Sequence, residues 1–222
     1  MKRGCSVGAL VILLAGCGMD IRTTGFLDRM AGATALRQGA AVAVTENAQA
    51  ENPVFDREVK AKIEKLLDRC GYRIAAPGDA EYIVTYGYSI SAGLRSSAVT
   101  SYGPPQTQIV SIPDGRGGVT TRAITTAGQP TLVPMVSTEY TRQLTLKVAT
   151  ARREEDKKGH VLWVGETHST DPSSDLRADI DNLLVVTFRY FGQDTGRQVR
   201  VNLSPDDPEL RELRGETGRT GP

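Results

Sequence analysis

The side chains able to do chemistry are few and scattered. The 222 residues hold two histidines, three cysteines and 26 acidic residues. His160 and His168 stand at the two ends of what reads as one strand, so a shared metal would demand a sharp bend. His168, Ser169 and Asp171 bring together the residue types of a hydrolytic triad. A triad is a matter of geometry, however, and no Gly-x-Ser-x-Gly elbow presents the serine. Glu154 and Glu155 lie in a charged run, Arg152 to Gly159, whose charges nearly cancel. That is a solvated turn, a poor place for a raised carboxyl pKa. Gly115-x-Gly117-Gly118 lacks the following Lys-Ser/Thr and the helix that a phosphate loop requires, and no zinc spacing or dinucleotide fingerprint is present. The expectation is a protein with no catalytic residues, no metal site and no cofactor.

Composition narrows the class further. A net charge of +1 argues against a nucleic-acid binder, and aromatic residues at 5% give little surface for stacking bases or sugars. Three cysteines cannot all pair, which excludes a disulfide-stapled miniprotein.

One cysteine stands in a specific context. Met1-Lys2-Arg3 is followed by an uncharged run from Gly4 to Gly16, apolar from Val7 to Leu14. This is the pattern of a secretory signal peptide, and too short to span a bilayer, which takes roughly 20 apolar residues. Leu14-Ala15-Gly16-Cys17 resembles the lipobox of bacterial lipoproteins. That resemblance implies acylation of the Cys17 sulfur and cleavage before it, leaving residues 17–222 with 25 basic against 26 acidic side chains. Several acyl chains, palmitate among the usual ones, anchor stably where one is marginal. Gly18 follows the cysteine. The aspartate that marks inner-membrane retention in enteric bacteria is absent, which favours the outer membrane, facing the periplasm, over the inner. With Cys5 removed and Cys17 acylated, only Cys70 is left, and its place on an apolar helix stripe makes it a small core residue.

The elements are read from periodicity. Residues 17–40 are expected to be the lipidated cysteine and a tether, with a short helix over Gly25 to Leu36 suggested by Phe26, Leu27, Met30 and Ala33. Ala41 to Thr45 reads as a strand. Asn52-Pro53 opens a helix whose stripe is Phe55, Val59, Ile63, Leu66, Leu67 and Cys70, with Gly71 at its end. Ala80 to Ile90 is a β-branched and aromatic strand. Thr138 to Ala151 and His160 to His168 form a strand pair. Asp171 to Ser174 is expected to cap a second helix, with Leu176, Ile180, Leu183, Leu184, Thr187, Phe188 and Phe191 as its stripe. Gln198 to Leu203 is a last strand, and 205–222, with five acids, three arginines and two leucines, reads as a disordered tail.

Residues 91–136 are the odd region, rich in Gly, Pro, Ser and Thr and without Phe, Trp, Lys, Glu or Cys. Thr107 to Ile112 and Val119 to Thr125 read as two strands around a turn, either a hairpin or a flexible loop. As a hairpin, Ile109, Val110, Gly115, Gly117, Gly118 and Val119 form a candidate partner-binding arm.

The helix ending Leu67 to Gly71-Tyr72, the strand from Ala80 to Tyr86, Val161-Leu162-Trp163-Val164-Gly165 and the helix Leu183 to Phe191 together resemble the DUF4136 family of bacterial lipoproteins. The resemblance covers about residues 40–192, departs at the 91–136 insert, and implies a lipid-anchored envelope protein with no catalytic residues to carry over.

The expected fold is α+β: an antiparallel sheet with two amphipathic helices packed on one face and a Gly/Pro-rich hairpin-like insert, as a single domain over 41–204. The expected role is a non-catalytic accessory or scaffold in envelope assembly, maintenance or secretion. It would contact the membrane through its lipid and a protein partner in the envelope. The alternative is a periplasmic module that binds a small molecule or lipid. Neither reading sets an oligomeric state.

Overall fold

A computed structural model describes residues 18–30, 36–47, 50–113, 115, 117–151 and 159–215. The described chain is mixed α+β and mostly sheet. Its strands are β1 (Met19–Leu27), β2 (Ala41–Val44), β3 (Arg73–Ile74), β4 (Tyr82–Tyr102), β5 (Gln106–Pro113), β6 (Val119–Thr126), β7 (Pro130–Thr150), β8 (Val161–Asp171) and β9 (Val199–Leu203). Its helices are α1 (Pro53–Arg69), α2 (Leu176–Arg189) and α3 (Pro208–Arg214). Seven strands form one sheet in the order β3-β2-β4-β7-β8-β1-β9, and β5 pairs with β6 separately.

The sheet is mixed, not purely antiparallel. β2 runs parallel to both β3 and β4, while β1/β8, β1/β9 and β7/β8 are antiparallel. The cause is α1. A helix of 17 residues between β2 and the strands beside it carries the chain back to the end where β2 began, so the next strand must run the same way. Apolar spacing within a strand carries no information about the direction of its neighbour.

The helix α1 forms where its stripe lies. The Asn52 side chain accepts the backbone N–H groups of Val54 and Phe55, Pro53 starts the helix, and Gly71 follows its end at φ +85°. In α2 the cap is Asp175, which accepts from Ala178 N, and not Asp171. The buried sheet face is made of alternate residues: Ile21 and Thr23 on β1, Trp163, Thr167 and Ser169 on β8, Leu144, Leu146 and Val148 on β7, with Leu162 of β8 buried out of phase. Arg22, Gln143, Lys147 and Glu166, one residue out of phase, are exposed. Thr187 on α2 donates to Thr167 at 2.7 Å, and the Tyr86 hydroxyl donates to the Asp56 carbonyl on α1 at 3.1 Å. Lys62 on α1 and Asp181 on α2 pair at 2.7 Å.

Two expectations are corrected. Residues 19–27 are neither tether nor helix: β1 lies between β8 and β9 inside the sheet. Its inward residues are Ile21, Thr23 and Gly25, and the polar and small members hide the alternation. Thr23 belongs there because its hydroxyl bonds that of Thr167 at 2.7 Å. Gly25 belongs there because a Cβ would meet the Gln193 carbonyl at 2.4 Å. The tail is also structured as far as Gly215. Asp207 caps α3, Leu210 and Leu213 are buried, and Arg189 holds Asp207 and Glu209 at 2.5 and 2.8 Å. Two leucines three residues apart suffice to dock one helical turn.

The described residues divide into two compact units, one up to Ser91 and from Tyr140 onward, the other Ala92–Glu139. The second holds the later part of β4, β5, β6 and the early part of β7. β4 and β7 are therefore much longer than the expected strands.

Candidate functional site

Among the described residues of the first unit, the polar groups able to do chemistry are mostly committed to structure. Arg142 is 0% exposed. It meets Asp171 in a two-pronged pair, Nη1 to Oδ2 at 2.6 Å and Nη2 to Oδ1 at 2.8 Å. Its Nε faces Asp179 Oδ2 at 2.9 Å, and Nη2 also donates to the Ser173 carbonyl. The Arg142 hydrogen bond holds the Asp171 carboxyl below its usual range, whereas burial pushes Asp179 up against the pull of Arg142. This cluster clamps β7, β8 and the start of α2.

The clamp disposes of the triad residues. Asp171 is spent on Arg142. Ser169 is buried on the inner sheet face, and His168, its neighbour along the strand, turns to the other. Burial, then Arg22 nearby, lower the His168 pKa. His160 precedes β8, so about 26 Å of extended chain separates the two histidines. No group of three metal-ligating side chains occurs among the described residues. Glu154, Glu155 and Cys17 lie outside the described residues. Cys70 is half-buried at the end of α1 against the core.

A groove of about 470 Å³ opens between the starts of α1 and α2 and β4, walled by Glu51, Val54, Phe55, Tyr88, Ile90 and Leu176 among others. The rings of Phe55 and Tyr88 meet edge to face at 5.2 Å. Beside them Asp56 is buried, its Oδ2 accepting the Asn47 N–H at 3.2 Å. Burial first, and the Asp56 carboxylate second, push the Tyr88 hydroxyl up to about 12. The Tyr86 hydroxyl is raised by burial and then by its hydrogen bond to Asp56. Both phenols therefore stay protonated near neutrality, and that of Tyr86 donates to the Asp56 carbonyl. The Tyr88 hydroxyl and Asp56 Oδ1 are both buried without a hydrogen-bond partner among the described residues.

The second unit is of another kind. Ile109 and Val110 lie in β5, Val119 opens β6 opposite Pro113, and Gly115 and Gly117 take φ of +72° and +88° in the connecting turn, with Gly118 after them. The hairpin of the sequence reading is thus an ordered ribbon, and Thr107 and Thr125 bond across it at 3.1 Å. Every described side chain from Ala92 to Ala127 is exposed, apolar ones included: Leu94 at 79%, Ile109 at 73%, Tyr102 at 72%. Sequence reasoning missed the exposed residues of β4 and β7, Leu94, Tyr102, Leu132 and Val136. The signal was available as strand-forming residues on both sides of the predicted hairpin.

The fold and the site together define a mixed α+β protein that carries an exposed β-ribbon and, among its described residues, no assembled catalytic group. Neither a protein-family model nor a curated protein sequence matches the chain. Among solved structures, it is similar to a PDZ domain protein from Parabacteroides distasonis, at 11% identity and a TM-score of 0.41, over 82% of this chain and 39% of that one. The chain thus spans about two fifths of that protein's length. It is also similar to PelC from Paraburkholderia phytofirmans, solved as a dodecamer, at 13% identity and a TM-score of 0.39, over 78% of this chain and 98% of that one. These likenesses assign neither a fold family nor a function. No described helix is long and apolar enough to cross a membrane, which says nothing of crossing by strands.

Proposed function

We propose that the chain is a lipid-anchored protein of the bacterial cell envelope, held at Cys17 and facing the periplasm from the outer membrane. It acts by binding and not by catalysis, as an accessory or scaffold in envelope assembly, maintenance or secretion. Residues 92–139 are its contact surface. The observation that carries the reading is the exposure of Leu94, Tyr102, Ile109, Leu132 and Val136 within one unit, a run of apolar surface of the kind that marks interaction sites. The lipobox pattern supports the address, and the resemblance to DUF4136 lipoproteins agrees with it. A second reading, a small-molecule or lipid-binding module, is favoured by the groove walled in part by Tyr88, whose buried hydroxyl has no hydrogen-bond partner among the described residues.

The test is fractionation and capture. Cys17→Ser should leave the membrane fraction and lose its lipid label, and a membrane-bound, labelled Cys17→Ser protein would defeat the anchor. From detergent-solubilised envelopes, an assembly should be captured with the wild type and lost with Ile109→Asp. A monomer that retains a small molecule and no assembly would favour the groove instead.

A further inference from the structure

Charge is distributed along the ribbon in an ordered way. Residues 96–113 and 123–138 contain no charged side chain, and the described charges of the ribbon are Arg95 and Glu139 at one end and Arg122 towards the other; Asp114 and Arg116 lie outside the described residues. Arg95 and Glu139 pair at 2.8 Å. The charge-free strand residues between Glu139 and Arg122, 130–138 of β7 and 123–126 of β6 with 127–129 between them, extend about 43 Å, or about 30 Å at a 45° tilt, against roughly 30 Å of bilayer hydrocarbon.

The faces are unequal. Gly103 N donates to the Gln129 carbonyl at 3.3 Å, and Gln106 pairs with Thr126, so opposing residues in both strand pairs keep one register and share a face. Leu94, Ala98 and Tyr102 of β4 then lie with Leu132, Pro134 and Val136 of β7, and Ser96, Thr100 and Thr138 are the polar members of that face. The other face carries Ser97, Ser101, Thr131 and Ser137, with Val99, Val133 and Met135 among them. Leu132 and Val136 are 70% and 66% exposed, Val133 and Met135 44% and 52%.

We propose that this ribbon crosses a lipid bilayer, with the Leu132 face towards lipid and the serine and threonine face towards a lumen, and that copies of this chain close it into a β-barrel. The closure follows from the backbone. β5 and β6 pair only with each other, so the described ribbon is two strands wide with two open edges. Unpaired N–H and C=O groups are not tolerated in hydrocarbon, and only a closed barrel satisfies them. The smallest barrels have about eight strands, so about four copies are the minimum. The inference rests on the envelope reading, and adds the bilayer and the chain's own copies as the partners of the ribbon.

The experiment uses the full lipidated chain with Cys70→Ala, carrying Leu132→Cys, Val136→Cys, Ser101→Cys or Ser137→Cys. Each variant takes an environment-sensitive fluorophore and is reconstituted into phosphatidylethanolamine–phosphatidylglycerol vesicles loaded with a small dye. Labels at 132 and 136 should be quenched by lipid-borne nitroxide, and labels at 101 and 137 by aqueous iodide. The vesicles should release their dye. Val136→Arg should abolish release while Ser137→Arg retains it, with Trp163 emission unchanged in both. Iodide quenching at all four sites in vesicle-bound protein overturns the inference and leaves the anchored envelope protein standing. Protection from both quenchers, as under a protein partner, overturns it too. A chain that does not fractionate with membranes at all defeats both readings.

Discussion

Arg142→Met removes the cation at the centre of the buried cluster and keeps most of the side-chain volume. Asp171, about a quarter exposed, and Asp179, about a tenth exposed, lose their shared partner. Breaking a buried pair from one side costs about 3–5 kcal/mol, because an uncompensated charge stays behind. For a chain of this size that corresponds to a melting point lower by about 6–20 °C. The pH dependence is a sharper check. In the wild type the Asp171 pKa is depressed, so its contribution is present above the unfolded carboxyl pKa and fades as pH falls through the lower folded value. The Asp179 pKa is raised, so its contribution runs the other way. It stabilises the fold at acid pH and is lost as pH rises from the unfolded value through the folded one. In Arg142→Met both carboxyls should titrate higher, and the deficit against wild type should be largest near pH 7 and shrink as both protonate towards pH ~4. Urea unfolding followed by the emission of Trp163, the single tryptophan and a buried one, reads it directly. Adding Asp171→Asn should restore part of the loss at neutral pH. A deficit below about 1 kcal/mol, or one flat with pH, would refute the role of a charge-compensating clamp.

Two further outcomes test the packing. Gly165→Ala places a Cβ 2.2 Å from the Trp163 ring, so the ring must shift; we expect a loss of about 1–3 kcal/mol and altered Trp163 emission, checked by the same unfolding curves. Leu213→Ala on α3 should cost about 2–5 kcal/mol, and a variant as stable as the wild type would return the C-terminal segment to a tail that packs on nothing.

Legibility varied with the range of the interactions involved. α1 announces itself because Asn52, Pro53, its apolar stripe and Gly71 act within a few residues of one another. The β5/β6 ribbon is legible for the same reason, with a glycine-rich turn between two alternating segments. β1 was not. Its inward Thr23 is held by Thr167, 144 residues away, and its Gly25 by the crowding of Gln193, and neither leaves an apolar pattern. The groove at Tyr88 was equally invisible, since its walls come from three segments that meet only in the fold. Arg142 falls in phase with Leu144, Leu146 and Val148 along its strand, but that alternation does not show what would hold a buried charge there. Its burial depends on Asp171 and Asp179 arriving from β8 and α2.

The amino-acid sequence by itself determined the local matters: the stripes of α1 and α2, how α1 begins and ends, the β5/β6 hairpin pattern, the charge-free runs, and the lipobox pattern at Cys17. These follow from backbone preference, capping and side-chain spacing, all short in range. Only the tertiary structure decided the direction of β2 against its neighbours, the place of β1 inside the sheet, the docking of α3 and the commitment of Asp171 to Arg142. Each depends on groups distant in sequence that meet by packing, and side-chain periodicity does not encode the identity of a partner.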